Sequence, residues 1–431
     1  MGRGVVWGES DFFMQDKHYD VAVVGGGPAG MMAATRAAEC GARVVLLEKN
    51  TSLGKKLLLT GGGRCNLTNA EFDRNVFATK FKGVARFLLS PFSQFGVEET
   101  LEFFHTRGMP TKVEAEKRVF PESNRSHSVL DVLVDALHKE KVDILLGAEV
   151  AGFEAADGMI RGIRMKNGNM VRAHAYILAT GGKSHPETGS TGDGFRWLRA
   201  IGHTIVPPHA SLVPLRVSDS WLHALSGVSF PDVKLTILQN DERKESASGK
   251  LLFTHFGLSG PLALNMSRTL SEYILHSGPV TVSLDLFPYR SVGEIDKDIL
   301  DVFVLRKNRQ VKNVLGELIP PRLILPMLSL SSLDSDIPVH SVSREKRLFF
   351  AKMMKDIRLS VSGLLGEDKS IVTSGGVALP EIDFKNMRSR LFSNLYCVGD
   401  ILDIDRPSGG YSLQICWSTG WVAGNVAGKC V

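Results

Sequence analysis

A chain of 431 residues, 43% hydrophobic and 23% charged, is long enough for two or three domains and is not composed like a disordered or fibrous protein. Its formal charge of +5 permits contact with nucleic acid or an acidic ligand without arguing for either. No apolar run reaches the roughly 18 residues needed to span a bilayer, so no membrane role is expected.

Residues 1–17 read as a short extension. Gly, Glu, Ser and Asp interrupt their apolar residues, which is not a signal-peptide pattern, and Met14 offers an alternative start. The first landmark follows. Val21 to Val24 is a short β-branched run that suits a buried parallel strand. Gly25, Gly27 and Gly30 then give GxGxxG, with Pro28 and Ala29 opening a helix that runs from Pro28 to Glu39. Gly25 makes the tight turn, Gly27 lets backbone approach a pyrophosphate, and Gly30 lets helix and strand pack closely. The helix N-terminus offers free N–H groups and a positive dipole end to phosphates. A second strand, Arg43 to Leu47, ends at Glu48, placed to accept from ribose hydroxyls, with Lys49 beside it. This unit predicts a dinucleotide, FAD or NAD. The terminal acid disfavours NADP.

Next comes "LLLTGGGRCNLTN", Leu57 to Asn69, in which a strand-like apolar run meets three glycines. Gly62 and Gly63 are expected to bring backbone close to the ligand. Lys56 and Arg64 would face a pyrophosphate or an anionic substrate, unless they are solvated loop charges. Asn66 would bond a cofactor ring edge or its own backbone. Cys65 is either a small buried hydrophobe or, beside a basic residue, a proton donor or redox thiol. The five cysteines (Cys40, Cys65, Cys397, Cys416 and Cys430) are odd in number and lack CxxC. Neither a disulfide framework nor a metal site is expected, and a reducing, cytoplasmic setting is the simpler view.

Tyr176 to Ala179 reads as a strand, with Thr180, Gly181 and Gly182 turning past the cofactor. His185 is a weaker acid–base candidate in the loop that follows. "TGDG", Thr191 to Gly194, opens a helix over Phe195 to Ile201. Pro207, Pro208 and Pro214 then break the pattern. "VKLTIL" and "VTVSLDL" alternate as strands, and Leu258 to Leu275, "SVGEIDKDILDVFVLR" and "SREKRLFFAKMMKD" read as helices. "LPMLSLSSLDSDIPVHS" reads as loop. Dinucleotide-fold sequence resumes by about Val372. Leu395 to Val398 is a strand, followed by Gly399 and Asp400, the loop Ser408 to Gly410, and a helix from Tyr411. In flavoproteins the Asp of such an element bonds a ribityl hydroxyl, and the helix N-terminus faces the flavin N1–C2=O end. Paired with the first landmark, it points to noncovalent FAD. Gly399, Asp400, Gly409, Gly410 and the first turn Tyr411, Ser412, Leu413 and Gln414 are the expected contacts.

Four stretches together carry a resemblance: the N-terminal fingerprint, "KKLLLTGGGRCNLTN", "LLFTHFGLSGPLALNMSR" and "RPSGGYSLQICWSTG". From about Tyr19 onward the chain resembles the BaiN/RdsA (YhiN-like) family of FAD-dependent NAD(P)-linked oxidoreductases, aminoacetone-oxidase-like. The resemblance implies an α/β fold: a doubly wound, Rossmann-like FAD-binding domain in two pieces, 18–206 and 366–431. It also implies an inserted β-barrel and helical domain, 207–365, that covers the substrate. His255, in "FTHFGLSGP", would then be a general acid–base group over the flavin. Cys65 and Arg64 complete the catalytic candidates. The implied reaction moves hydride between flavin N5 and a carbon substrate, either an enone or a uridine of ribosomal RNA reduced to dihydrouridine. There is no second GxGxxG, so NAD(P)H would dock transiently at the open flavin face. An RNA substrate calls for a basic face, for which Lys55, Lys56, Arg64, Lys80, Lys82, Arg86, Arg243 and Lys244 are candidates. The alternatives are an amine or aminoketone oxidase using oxygen, and a non-catalytic flavin redox sensor.

Overall fold

The computed structural model describes residues 18–81, 83–278, 280–365 and 372–429. The leading extension, Lys82 and Cys430 lie outside the described residues. The chain divides into two compact units, Met1–Ser211 with Ser370–Val431, and Leu212–Lys369.

The first unit is built on a seven-stranded sheet. Its centre is β1 (Tyr19–Val24), which pairs in parallel with β2 (Val44–Glu48) on one side and with the strand Ala173–Leu178 on the other. Asp143–Leu146 extends the parallel set beyond β2, and Leu395–Cys397 extends it beyond Ala173–Leu178. Two short antiparallel strands, Ile382–Asp383 and Arg388–Ser389, finish that edge. Covered on both faces, β1 and β2 are continuous apolar runs, and Val21 to Val23 are wholly buried. Helix α1 (Pro28–Glu39) connects them.

The strand-like run before the three glycines is instead one turn of helix, α2 (Lys55–Leu59). Of its three leucines only Leu57 is buried. Three adjacent apolar residues carry no period, and Gly54, left-handed at φ 67°, lets the chain turn into a helix there. A tight turn over Thr60–Gly63 follows, then β3 (Thr68–Asn69), which joins a small sheet with Thr111–Glu114 and Arg118–Pro121.

In the second unit six strands close into a barrel. Their order is Leu215–Val217, Gly257–Ser259, Glu242–Thr254, Ser229–Gln239, Val280–Asp285 and Ile357–Leu364. Alternating residues such as Leu235, Ile237, Val282, Leu284, Leu359 and Val361 fill it. The helices Val292–Leu305 and Arg344–Met353 stand where their spacing places them, and the helix read from Leu258 begins only at Gly260, as Gly260–Ser277, because Leu258 and Ser259 belong to the barrel strand Gly257–Ser259. The stretch read as loop is partly helical: Pro321–Leu330 is a helix despite Pro326. Leu323, Ile324, Met327 and Leu328 make one buried stripe, and its burial outweighs the hydrogen bond that the proline forfeits.

Candidate active site

The fingerprint behaves as its glycines require. A Cβ on Gly30 would stand 1.9 Å from the carbonyl oxygen of Gly25, so helix and turn touch backbone to backbone. A Cβ on Gly27 would meet nothing within 4 Å, which leaves space beside the first amides of α1. That helix end has no side-chain cap and no acid in its first turn. Open amides without a competing anion are the requirement for binding phosphate.

Glu48 is buried at the end of β2. Its Oε2 accepts from the Gly26 N–H at 2.7 Å, and its Oε1 accepts from Asn50 N and Nδ2 at 2.8 and 2.7 Å. A carboxylate has about four acceptor positions, so one remains for a ribose hydroxyl. Lys49 is committed elsewhere, donating to Thr191 Oγ1 at 2.7 Å and Asp193 Oδ2 at 2.9 Å. Burial pushes the Asp193 carboxyl up, but hydrogen bonds from Thr191, Lys49 and Arg196 outweigh it and hold that group well below the usual carboxylate range. Lys49 therefore ties β2 to the helix Asp193–Ala200 rather than offering a free cation.

The closing element meets the fingerprint through glycine. Along the helix Tyr411–Ala427 and its cap, Gly420, Gly424 and Gly428 recur every four residues. A Cβ at each would stand 2.4, 2.3 and 2.6 Å from the carbonyl oxygens of Ala29, Ala33 and Ala37. The two helices thus pack main chain to main chain, which fixes one N-terminus relative to the other. The closing helix also begins uncapped and without an acid, behind Gly409 and Gly410 at φ 115° and 99°. The sequence signal of this stripe, which the motif reading missed, is the four-residue glycine repeat.

Asp400 lies in the short turn Gly399–Ile401. Its Oδ1 is sealed from solvent and accepts no hydrogen bond among the described residues. The hydroxyl of Thr180, in the turn after Ala173–Leu178, is buried and unbonded in the same way. Gly181 follows it at φ 73°, with Gly182 buried behind. Lys56, from α2, donates to Ser184 Oγ at 2.7 Å and lies 3.5 Å from Asp400 Oδ2. These pieces fit FAD. Open amides at two helix ends suit its phosphates and flavin carbonyl, and the partly exposed Asp400 carboxylate, whose Oδ2 faces Lys56, suits a ribityl hydroxyl.

Several expected contacts have other work. Arg64 is engaged by Glu114 and by Asn124, and its guanidinium lies 4.1 Å over Phe120. It braces the small sheet and is not a free cation for substrate. Cys65 is wholly buried at φ 60°, and burial pushes its thiol up to about 12. The low-pKa redox thiol is not met, because among the described residues no cation offsets the desolvation of the sulfur. With its amide turned so that each partner is satisfied, Asn66 donates to Thr68 O and Val119 O and accepts from Gly410 N–H at 3.0 Å. It anchors the closing helix instead of a ring edge. Gln414 is also buried. Its Oε1 accepts from Thr68 Oγ1 at 2.6 Å, and its Nε2 donates to Gly96 O, Thr100 Oγ1 and Ser418 Oγ. The Tyr411 ring packs into Phe77 and Phe81, at 4.9 and 5.8 Å between centroids. Gly62, Gly63 and the Ser412 and Leu413 amides remain the open backbone of this region.

His255, in the second unit, sits on the exposed turn between Glu242–Thr254 and Gly257–Ser259, edge-on to Phe256. His185 pairs with Glu187 at 2.8 Å. Of the proposed basic face, Lys55 bonds Asn50 and Lys244 pairs with Glu242, while Lys80, Arg86 and Arg243 are exposed. Among the described residues no helix is long and apolar enough to cross a membrane.

A doubly wound dinucleotide-binding domain with a second, flavin-type closing element, carrying a six-stranded barrel, defines an FAD-dependent oxidoreductase. The chain belongs to the family described as HI0933-like protein Rossmann domain, whose pattern matches residues 19–426. It is 31% identical over 412 residues to a 3-dehydro-bile acid delta(4,6)-reductase of Clostridium scindens, covering 95% of this chain and 99% of that one. It is 28% identical over 414 residues to the ribosomal RNA dihydrouridine synthase of Escherichia coli, covering 94% and 97%. Among solved structures, the 3-ketosteroid-delta4-(5alpha)-dehydrogenase of Rhodococcus jostii aligns over 97% of this chain and 99% of its own, with a TM-score of 0.56 and 16% identity, a likeness of fold alone.

Proposed function

We propose that this protein reduces a carbon–carbon double bond conjugated to a carbonyl in a ring, with NAD(P)H as the transient donor. The observation that carries this reading is full-length similarity to two reductases. The names of both, the bile acid delta(4,6)-reductase and the dihydrouridine synthase, describe saturation of a ring double bond. FAD, when bound, would accept hydride from NAD(P)H and pass it from flavin N5 to the substrate. The chain's own residues bind and orient it: the α1 amides at the pyrophosphate, Glu48 at the ribose, Asp400 at the ribityl chain and the Tyr411–Ala427 helix end at the ring. That helix end favours the negative charge that accumulates on reduction. His255 is the proposed proton donor to the substrate carbon, as a solvent-accessible imidazole on a turn of the barrel unit. Neither Cys65 nor Arg64 is retained in a catalytic role. We place this work in the cytoplasm, in keeping with four free cysteines among the described residues.

The test supplies purified holoprotein with NADH or NADPH and either a ring enone of the 3-keto-4-ene type or an unmodified ribosomal RNA transcript. The product should gain two hydrogens by mass, and His255→Gln should slow its formation while retaining FAD. No mass change with either substrate class would overturn the reading.

A further inference from the structure

Among the described residues of the first unit Arg406 is the only buried arginine, and its side chain has no solvent exposure. A guanidinium carried into the interior is costly unless its surroundings repay the lost hydration. Here the guanidinium is spread around a single turn. Nη2 donates to Gly399 O at 3.2 Å and to Leu402 O at 3.4 Å, bracketing Asp400. Nε stands 3.6 Å from Asp400 Oδ1. On the other side Lys56 Nζ stands 3.5 Å from Oδ2. Arg–carboxylate pairs frequently close as a two-pronged fork on the carboxylate. In this turn the hydrogen bonds of Nη2 go to main-chain carbonyls, and the carboxylate turns its sealed Oδ1 toward the arginine without a hydrogen bond, while the side chain as a whole stays 16% exposed.

We propose that Arg406 is a positioning residue for the cofactor: it holds Asp400 as a charged, open acceptor for a ribityl hydroxyl. This rests on the FAD reading above. The other groups facing the turn do not share the role. The closing helix presents the Cys416 thiol and the Thr419 hydroxyl, which accepts from Gly399 N–H at 3.0 Å. Helix α1 presents Ala29. On the same loop Asp405 accepts from Ser374 Oγ at 2.7 Å, and Asp403 is the remaining charged residue. Burial by itself raises the Asp400 carboxyl, but Arg406 and then Lys56 outweigh it and leave the group below the usual carboxylate range. Without Arg406 the burial effect loses its main counterweight. Asp400 then takes up a proton at a higher pH and loses the charge that makes it a strong acceptor.

The experiment follows FAD release from full-length holoprotein as the recovery of free-flavin fluorescence, between about pH 5.5 and about pH 8.5, a window bracketing a raised carboxylate. Wild type and Arg406→Lys should release FAD with a flat pH profile. Arg406→Met should bind about tenfold more weakly at neutral pH and worsen steadily toward acid. Lys56→Met should acquire the same acid slope, and it carries the test if Arg406→Met does not fold. A pH-independent loss in both Met variants would show a merely structural arginine and overturn the proposal. Asp400→Asn separates the two levels: if it binds FAD as wild type does, the reading of the Gly-Asp turn as an FAD contact fails first.

Discussion

Two glycines, Gly424 on the closing helix and Gly27 at the start of α1, should respond in opposite ways to the same substitution. At Gly424 an added methyl would stand 2.3 Å from the Ala33 carbonyl oxygen, more than 1 Å short of an ordinary contact. That oxygen belongs to helix backbone and cannot rotate aside. Gly424→Ala gains about 1 kcal/mol of helix propensity. Against this stands an overpacking cost of about 1–3 kcal/mol, here at its upper end because two helices must separate. The net expectation is a loss of about 1–2 kcal/mol, or several degrees in Tm for a domain of this size. At Gly27 the methyl meets nothing within 4 Å and φ is −81°, so Gly27→Ala should leave the flavin-free chain as stable as wild type. It should instead weaken FAD about tenfold or more, because the methyl enters the space reserved for the pyrophosphate. Thermal unfolding with and without FAD, together with FAD titration, reads both effects. A stable Gly424→Ala would refute the main-chain contact of the two helices. A Gly27→Ala variant with wild-type affinity would refute the placement of the pyrophosphate.

Cys65→Ala should keep turnover and its pH profile and lose about 1 kcal/mol of stability, and iodoacetamide should not label Cys65 in the native protein. Gln414→Leu leaves partners of a buried network unsatisfied and should cost about 2–4 kcal/mol, read by urea unfolding. Burial lowers the His203 imidazole against the opposing pull of Glu381, 2.7 Å away, so the unfolded chain takes the proton first. Stability should therefore rise with pH through the window from the lowered folded value up to about 6.5, be complete above it and be lost as pH falls through it. His203→Gln should flatten that slope in unfolding measured at about pH 5 and about pH 7.5.

The parts of this site that were legible in the sequence are those whose chemistry is local. Gly25, Gly27, Gly30 and Glu48 sit at fixed offsets within one strand–helix–strand unit, and Gly399-Asp400 follows a strand directly. Asn66, Gln414 and Arg64 are polar residues in the right neighbourhood, but their partners come from far along the chain. The partners are Gly410, Thr68 with Gly96, and Glu114, and no spacing rule announces them. Cys65 was ambiguous for the same reason, since burial rather than its neighbour Arg64 decides the state of the thiol. Leu57 to Leu59 and the stretch after Leu325 were misread because each lacks a clear period or carries a proline. In both places tertiary burial decides what local pattern leaves open.

The most direct test of the central claim is the anaerobic visible spectrum of the purified yellow protein. The account predicts that NADH or NADPH bleaches the flavin and that a ring enone or unmodified ribosomal RNA then restores it, without oxygen. A flavin that neither nicotinamide reduces, or that only oxygen reoxidises, would contradict it.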